Sequence, residues 1–142
     1  MPESFGAALR DRVVETARAA GHDVDLMDLH AEGFEPAMLK GWFERVLLPQ
    51  EAFSMADRPA AMAPSLTHIR WVGVVTTLGA PWWHWTFMMR APGRTIVLRS
   101  LKSCCHRRCR SFWLGLHNMD PATDRQRQSF LTKVGQKIAA LR

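Results

Sequence analysis

Phe5, Leu9, Val13 and Ala17 recur at every fourth position between residues 4 and 20, the stripe of a helix that buries one face. Ser4 is placed to cap it, because a serine hydroxyl accepts an orphan amide of the first turn, and Gly21 supplies the left-handed stop. The run Asp23-Val24-Asp25-Leu26-Met27 switches to period two and predicts a short strand. Gly33 and Pro36 then mark a loop. Over residues 36–48, Leu39, Trp42, Phe43, Val46 and Leu47 share one helical face, Lys40, Glu44 and Arg45 flank it, and Pro49 ends it. Residues 50–65 have no clear period and predict a surface loop with at most a turn of helix.

Ile69-Arg70-Trp71-Val72-Gly73-Val74-Val75-Thr76 is nearly continuous in apolar, β-branched residues, as a central parallel strand is when both its faces are covered. Residues 77–81 form the loop at its C-terminal end. Residues 94–102 predict a helix with Val97, Leu98 and Leu101 inward, and residues 112–116 a third strand. Asp120 and Pro121 read as the cap and first residue of a last helix, with Leu131, Val134, Ile138 and Leu141 as its buried stripe. Strands alternating with helices indicate an α/β layer fold with a parallel sheet. Three strands are visible, and no repeat or low-complexity tract occurs.

Composition narrows the classes. A chain of 142 residues matches one domain, residues 1–142. Its 47% hydrophobic and 23% charged residues exclude a disordered chain. No apolar run is long enough to span a bilayer. The opening Met1-Pro2-Glu3-Ser4 has no signal-peptide pattern, so a cytoplasmic location is expected. Cys104, Cys105 and Cys109 are an odd, crowded set, which argues for reduced thiols. A net charge of +6 suits phosphorylated cofactors as well as nucleic acid or a membrane surface.

Four segments carry candidate chemistry. Ser4 and Phe5 open a helix whose amides suit a phosphate, although a capping serine alone does the same. Thr76, Thr77, Leu78 and Gly79 follow the central strand, where ligands bind in open parallel sheets; a plain connecting turn is the alternative. Trp82, Trp83 and Trp85 surround His84, as walls for a planar ring with an imidazole to steer a proton, or as a structural cluster. Cys104-Cys105-His106-Arg107-Arg108-Cys109 lacks the second ligand pair a zinc site needs, so partly buried structural thiols at a helix end are expected and no metal. Arg107, Arg108 and Arg110 have no nucleic-acid recognition motif beside them, and no nucleic-acid partner is expected.

Taken together, the segments resemble the flavodoxin-like NAD(P)H quinone oxidoreductases. The likeness lies in Pro2-Glu3-Ser4-Phe5, Gly21-His22-Asp23-Val24, Asp28-Leu29-His30-Ala31-Glu32-Gly33-Phe34 and, most specifically, Ala37-Met38-Leu39-Lys40-Gly41-Trp42-Phe43-Glu44-Arg45-Val46. Thr76-Thr77-Leu78-Gly79 is similar to that family's Thr-Thr-x-Gly flavin loop, with Leu78 in place of the commoner glycine. The resemblance implies a flavodoxin-like three-layer sandwich. By that resemblance the sandwich is expected to be incomplete, lacking the family's first strand before Pro2 and a helix and strand at Pro36. It also implies a homodimer with FAD or FMN, NADH or NADPH as co-substrate and a quinone-like acceptor. Ser4 and Phe5 would then lie at the flavin phosphate, with Thr76, Thr77, Leu78 and Gly79 along the ring. Some relatives are ancillary subunits of potassium efflux systems. A non-enzymatic partner subunit, docked peripherally on a membrane transport protein, is therefore the alternative to an oxidoreductase.

Overall fold

The computed structural model describes residues 4–26, 52–55 and 62–141. The helix predicted over residues 36–48, and the join at Pro36, lie outside them. Residues 1–26, 73–92 and 113–142 form one compact unit, and residues 27–72 and 93–112 a second.

In the first unit, helix α1 (Phe5–Ala19) starts as its sequence predicts. Ser4 has extended backbone, and its Oγ accepts from the amide of Ala7 at 3.2 Å. At the other end Gly21 takes φ 85°. Its amide donates to Arg18 O at 2.9 Å, and the amide of His22 to Ala17 O at 3.0 Å. That reciprocal pair closes the orphan carbonyls of the last turn.

The strand predicted from Asp23 does not form: residues 22–26 are irregular. A strand is stable only when a neighbour completes its ladder, and among the described residues no strand is paired with this segment. The aspartates at 23 and 25 are exposed, as alternation requires, but Leu26 is exposed too.

The last helix, α3 (Asp124–Ala139), buries Phe130, Leu131, Val134 and Ile138. It packs against α1, with Arg12 and Thr16 facing Gly135. Its N-cap is Thr123 and not Asp120. Thr123 Oγ1 accepts from the Gln126 amide at 3.4 Å, and Gln126 Oε1 accepts from the Thr123 amide at 2.8 Å. This capping box satisfies two orphan donors reciprocally. Asp120 and Pro121 fall in the turn before it.

In the second unit, the stretch read as loop contains two short strands, β1 (Phe53–Met55) and β2 (Met62–Pro64). They pair antiparallel with Phe53 opposite Pro64 and Ser54 opposite Ala63. Strands of three residues are too short to show a period, which is why the pattern misses them. Helix α2 (Pro92–Ser103) buries Leu98 and half-buries Val97 and Leu101 as predicted.

Strands β3 (Trp71–Leu78) and β4 (Arg110–His117) form a two-stranded sheet. The amide of Arg110 donates to Arg70 O at 2.9 Å, and that of Met119 to Leu78 O at 3.1 Å. Both strands advance in the same direction, so the pairing is parallel. β3 is shifted two residues later than its apolar run, which draws Thr77 and Leu78 out of the expected loop into the strand.

Val134 is fully buried, so Val134→Ala should cost about 2 kcal/mol. Loss of the capping hydroxyl in Thr123→Ala should cost about 1 kcal/mol. Both are read as lower urea midpoints with unchanged slope.

Candidate functional site

The first turn of α1 and the C-terminal half of β3 share a groove of about 460 Å³, walled by Gly6, Leu9, Val13, Leu26, Gly73, Thr76 and Thr77. Its size is ordinary for a ligand site. It brings Gly6, in the first turn of α1, to the threonine pair that the sequence singles out. Leu9 and Val13 enter it because they continue the apolar stripe of α1. The amides of Phe5 and Gly6 belong to a first turn, whose donors have no acceptor within the helix. Ser4 Oγ is committed to Ala7, and Thr76 Oγ1 donates to Thr77 O at 3.3 Å.

Ser4, Phe5, Leu78, Gly79 and His84 are not among the groove's walls. Leu78 lies over Gly115, where an added Cβ would come within 3.1 Å of its Cδ1. Gly79 is exposed, and a Cβ there would meet the Asp120 carboxylate at 3.3 Å. His84 is half-buried at the start of a π-helical turn, His84–Met88, with its ring edge-on to Trp83 at 5.5 Å.

The three tryptophans part company. Trp85 is buried and stacks on Trp113 with ring centroids 5.4 Å apart, whereas Trp82 and Trp83 are exposed. The turn closes through the amide of Ala91 on Trp85 O at 2.9 Å. Closure puts Arg90 at φ 56° and Ala91 at φ 47°, left-handed conformations that cost on the order of 1 kcal/mol each in a residue with a Cβ.

Two residues of this region escape the sequence reading. Trp113 Nε1 and His117 Nδ1 are buried with no hydrogen-bond partner. They stand on one face of β4 with Gly115 between them, and His117 also leans on Trp85 at 5.3 Å. An unpartnered buried polar group costs about 1–3 kcal/mol, a deficit that a polar ligand atom or water would relieve. His117 further lines a second groove of about 420 Å³ with Asn118, Gln126, Ser129 and Lys133. The signal was present in the period-two spacing of Trp113, Gly115 and His117, but the predicted strand stopped at residue 116.

The three thiols are free and more deeply buried than expected, Cys104 and Cys105 at the end of α2 and Cys109 just before β4. Cys104 Sγ donates to Ser100 O at 3.4 Å and Cys105 Sγ to Leu101 O at 3.0 Å. Burial first, then the neighbouring Cys109 and Cys104, push the Cys105 thiol from 9.0 up to about 11. Among the described residues no group of three or more His, Cys, Asp or Glu is placed to hold a metal. Arg110 does not join a basic cluster freely, because its guanidinium sits over the Trp71 ring at 5.5 Å.

A parallel pair of strands, helices alternating with them, and a groove beside the C-terminal end of β3 describe a flavodoxin-like α/β protein. Solved structures share this fold. The NAD(P)H:quinone oxidoreductase from Methanothermobacter marburgensis matches at TM-score 0.75 and 17% identity, covering 100% of this chain and 94% of that one. The protein Smu.1420 from Streptococcus mutans UA159 matches at TM-score 0.69 and 18% identity, over 99% of this chain and 95% of its own. The chain thus shares the fold of these two structures, the α/β fold its sequence resemblance implied. No family model matches the sequence, and no curated protein does.

Because the folded-state pKa of Cys105 lies above the ordinary thiol value, its contribution to stability is complete below pH 9 and is lost as pH rises toward 11. With no tyrosine in the chain, urea midpoints between pH 8 and 11 should fall more steeply for the native sequence than for Cys105→Ser.

Proposed function

We propose that this protein is a flavin-dependent NAD(P)H oxidoreductase of the quinone reductase type. It would pass two electrons, as hydride, from NADH or NADPH to a quinone-like acceptor. The observation that carries the reading is the fold likeness to the Methanothermobacter oxidoreductase over the whole chain. The donor set of the α1–β3 groove supports it.

The first-turn amides of Phe5 and Gly6, at the positive end of α1, suit the phosphate of FMN or FAD. Ser4 holds that turn in shape through Ala7, so its role is positioning. Thr76 and Thr77 offer hydroxyl and backbone groups at the groove wall. Leu78 and Gly79 would set how closely the next backbone approaches a ring, and His84 would carry a proton. Bound flavin supplies the hydride chemistry; the chain binds it, orients the acceptor and excludes water. By the same family likeness the working form is a homodimer.

Purified protein should take up FMN or FAD, turn yellow and oxidise NADH or NADPH when a quinone is added. Thr77→Val should weaken flavin binding about three- to tenfold, the worth of one hydrogen bond, while leaving the urea midpoint within about 0.5 kcal/mol of the native value. Protein that stays colourless with both flavins would overturn the catalytic reading.

A further inference from the structure

We propose that the groove between the end of β4 and α3 is a second binding site, one that takes the phosphate group of a small phosphorylated ligand. Its lining residues all fall between Gly115 and Lys133, one continuous stretch of the first compact unit. None of them walls the α1–β3 groove. At about 420 Å³ it has room for a ligand the size of a mononucleotide.

Helical spacing supplies one wall. Gln126, Ser129, Phe130 and Lys133 recur three and four residues apart, which puts their side chains on one face of α3. Phe130 is buried, whereas Gln126, Ser129 and Lys133 are exposed along the groove. The capping box engages Gln126 Oε1, which accepts from the Thr123 amide at 2.8 Å. The two N–H donors of the Gln126 carboxamide are thereby left for another acceptor. The end of β4 supplies the other wall. Asn118 turns the chain at φ 54°, a left-handed conformation that asparagine tolerates, and its own amide donates to Ala80 O at 3.2 Å. His117 stands before it with Nδ1 buried and unpartnered, so no group of the chain commits that imidazole.

The donor set chooses an anion. A lysine ammonium, a serine hydroxyl, two carboxamides and an imidazole can all donate hydrogen bonds, and no Asp or Glu is among the lining residues described. The carboxylates nearest in sequence are engaged elsewhere. That of Asp120 faces Gly79, and that of Asp124 is 98% exposed with Arg127 at 3.8 Å. A phosphate monoester brings close to two negative charges and three strong acceptor oxygens, one more oxygen than a carboxylate offers to the same donors. Pro121, Ala122 and Phe130 add apolar surface for the body of the ligand.

The test uses the full chain with no flavin, nicotinamide or quinone present, so its failure is distinct from failure of the oxidoreductase reading. Nuclear magnetic resonance shifts of the isotope-labelled protein are followed at low salt against AMP, inorganic phosphate and adenosine. AMP should move the signals of His117, Asn118, Ser129 and Lys133, and adenosine should not. AMP binding tighter than inorganic phosphate assigns the site to a nucleotide-like ligand, AMP binding no tighter assigns it to free phosphate, and either supports the proposal. Lys133→Gln should weaken the binding about tenfold and Ser129→Ala about threefold. Both side chains are exposed, so the urea midpoint should stay unchanged. Silence toward both phosphate probes would overturn the proposal, as would equal binding of adenosine, an equal response to chloride, or an affinity that Lys133→Gln leaves unchanged. Signals that move at Gly6, Thr76 and Thr77 instead would put the ligand in the α1–β3 groove and overturn it. A dimer whose dissociation on dilution moves the Ser129 and Lys133 signals would assign the groove to contact between copies and overturn it equally.

Discussion

Parallel pairing between β3 and β4 is the constraint from which the rest of the described structure follows. An antiparallel pair can be joined by two residues, but a parallel pair needs a crossover of a dozen or more. Residues 79–109 are therefore obliged to form a connection. The π-helical turn, α2 and the cysteine corner are the stations along it. The same geometry puts the C-terminal end of β3 where backbone donors become available, which is where ligands bind in parallel α/β sheets.

The helices then decide what that end of the strand can do. α1 buries Leu9 and packs on α3 through Gly135, and this seating carries its first turn to the wall that Thr76 and Thr77 share. Gly6, Leu9, Arg10, Val13 and Val14 of α1 line one side of the groove, and Arg10, Thr76 and Thr77 are the polar side chains among its lining residues. Specificity in such a site rests on a handful of amides and hydroxyls against an apolar floor. β4 supplies a different element: Trp113 and His117 are buried with polar atoms unpaired, a cost that structures tolerate mainly where chemistry or binding needs it.

Much of this was legible in the chain. Helices α1 and α3 announce themselves because a long amphipathic stripe repeats enough times to be read, and Ser4 and Gly21 bound α1 as capping chemistry requires. The α/β class follows from the order of elements. What failed did so for identifiable reasons. Asp23 to Leu26 alternates like a strand, yet alternation describes a face and cannot supply the neighbouring ladder. Asp120-Pro121 is a good cap in isolation and lost to Thr123, whose partner Gln126 closes two bonds at once. The site was half visible: Thr76 and Thr77 were named from their place after an apolar run, but the two-residue shift of β3 turned Leu78 onto Gly115 and away from the groove. His117 stayed hidden because long-range stacking on Trp85 cannot be read from local spacing.

The stacked indoles of Trp85 and Trp113 join the crossover to β4, and they have an optical consequence. Two like chromophores 5.4 Å apart with planes 21° from parallel share their excited states, and that twist gives a paired positive and negative band in circular dichroism. That couplet depends on the contact itself and not on helix content. It thus offers an intrinsic gauge of whether the turn remains seated on β4 while the helices stay intact.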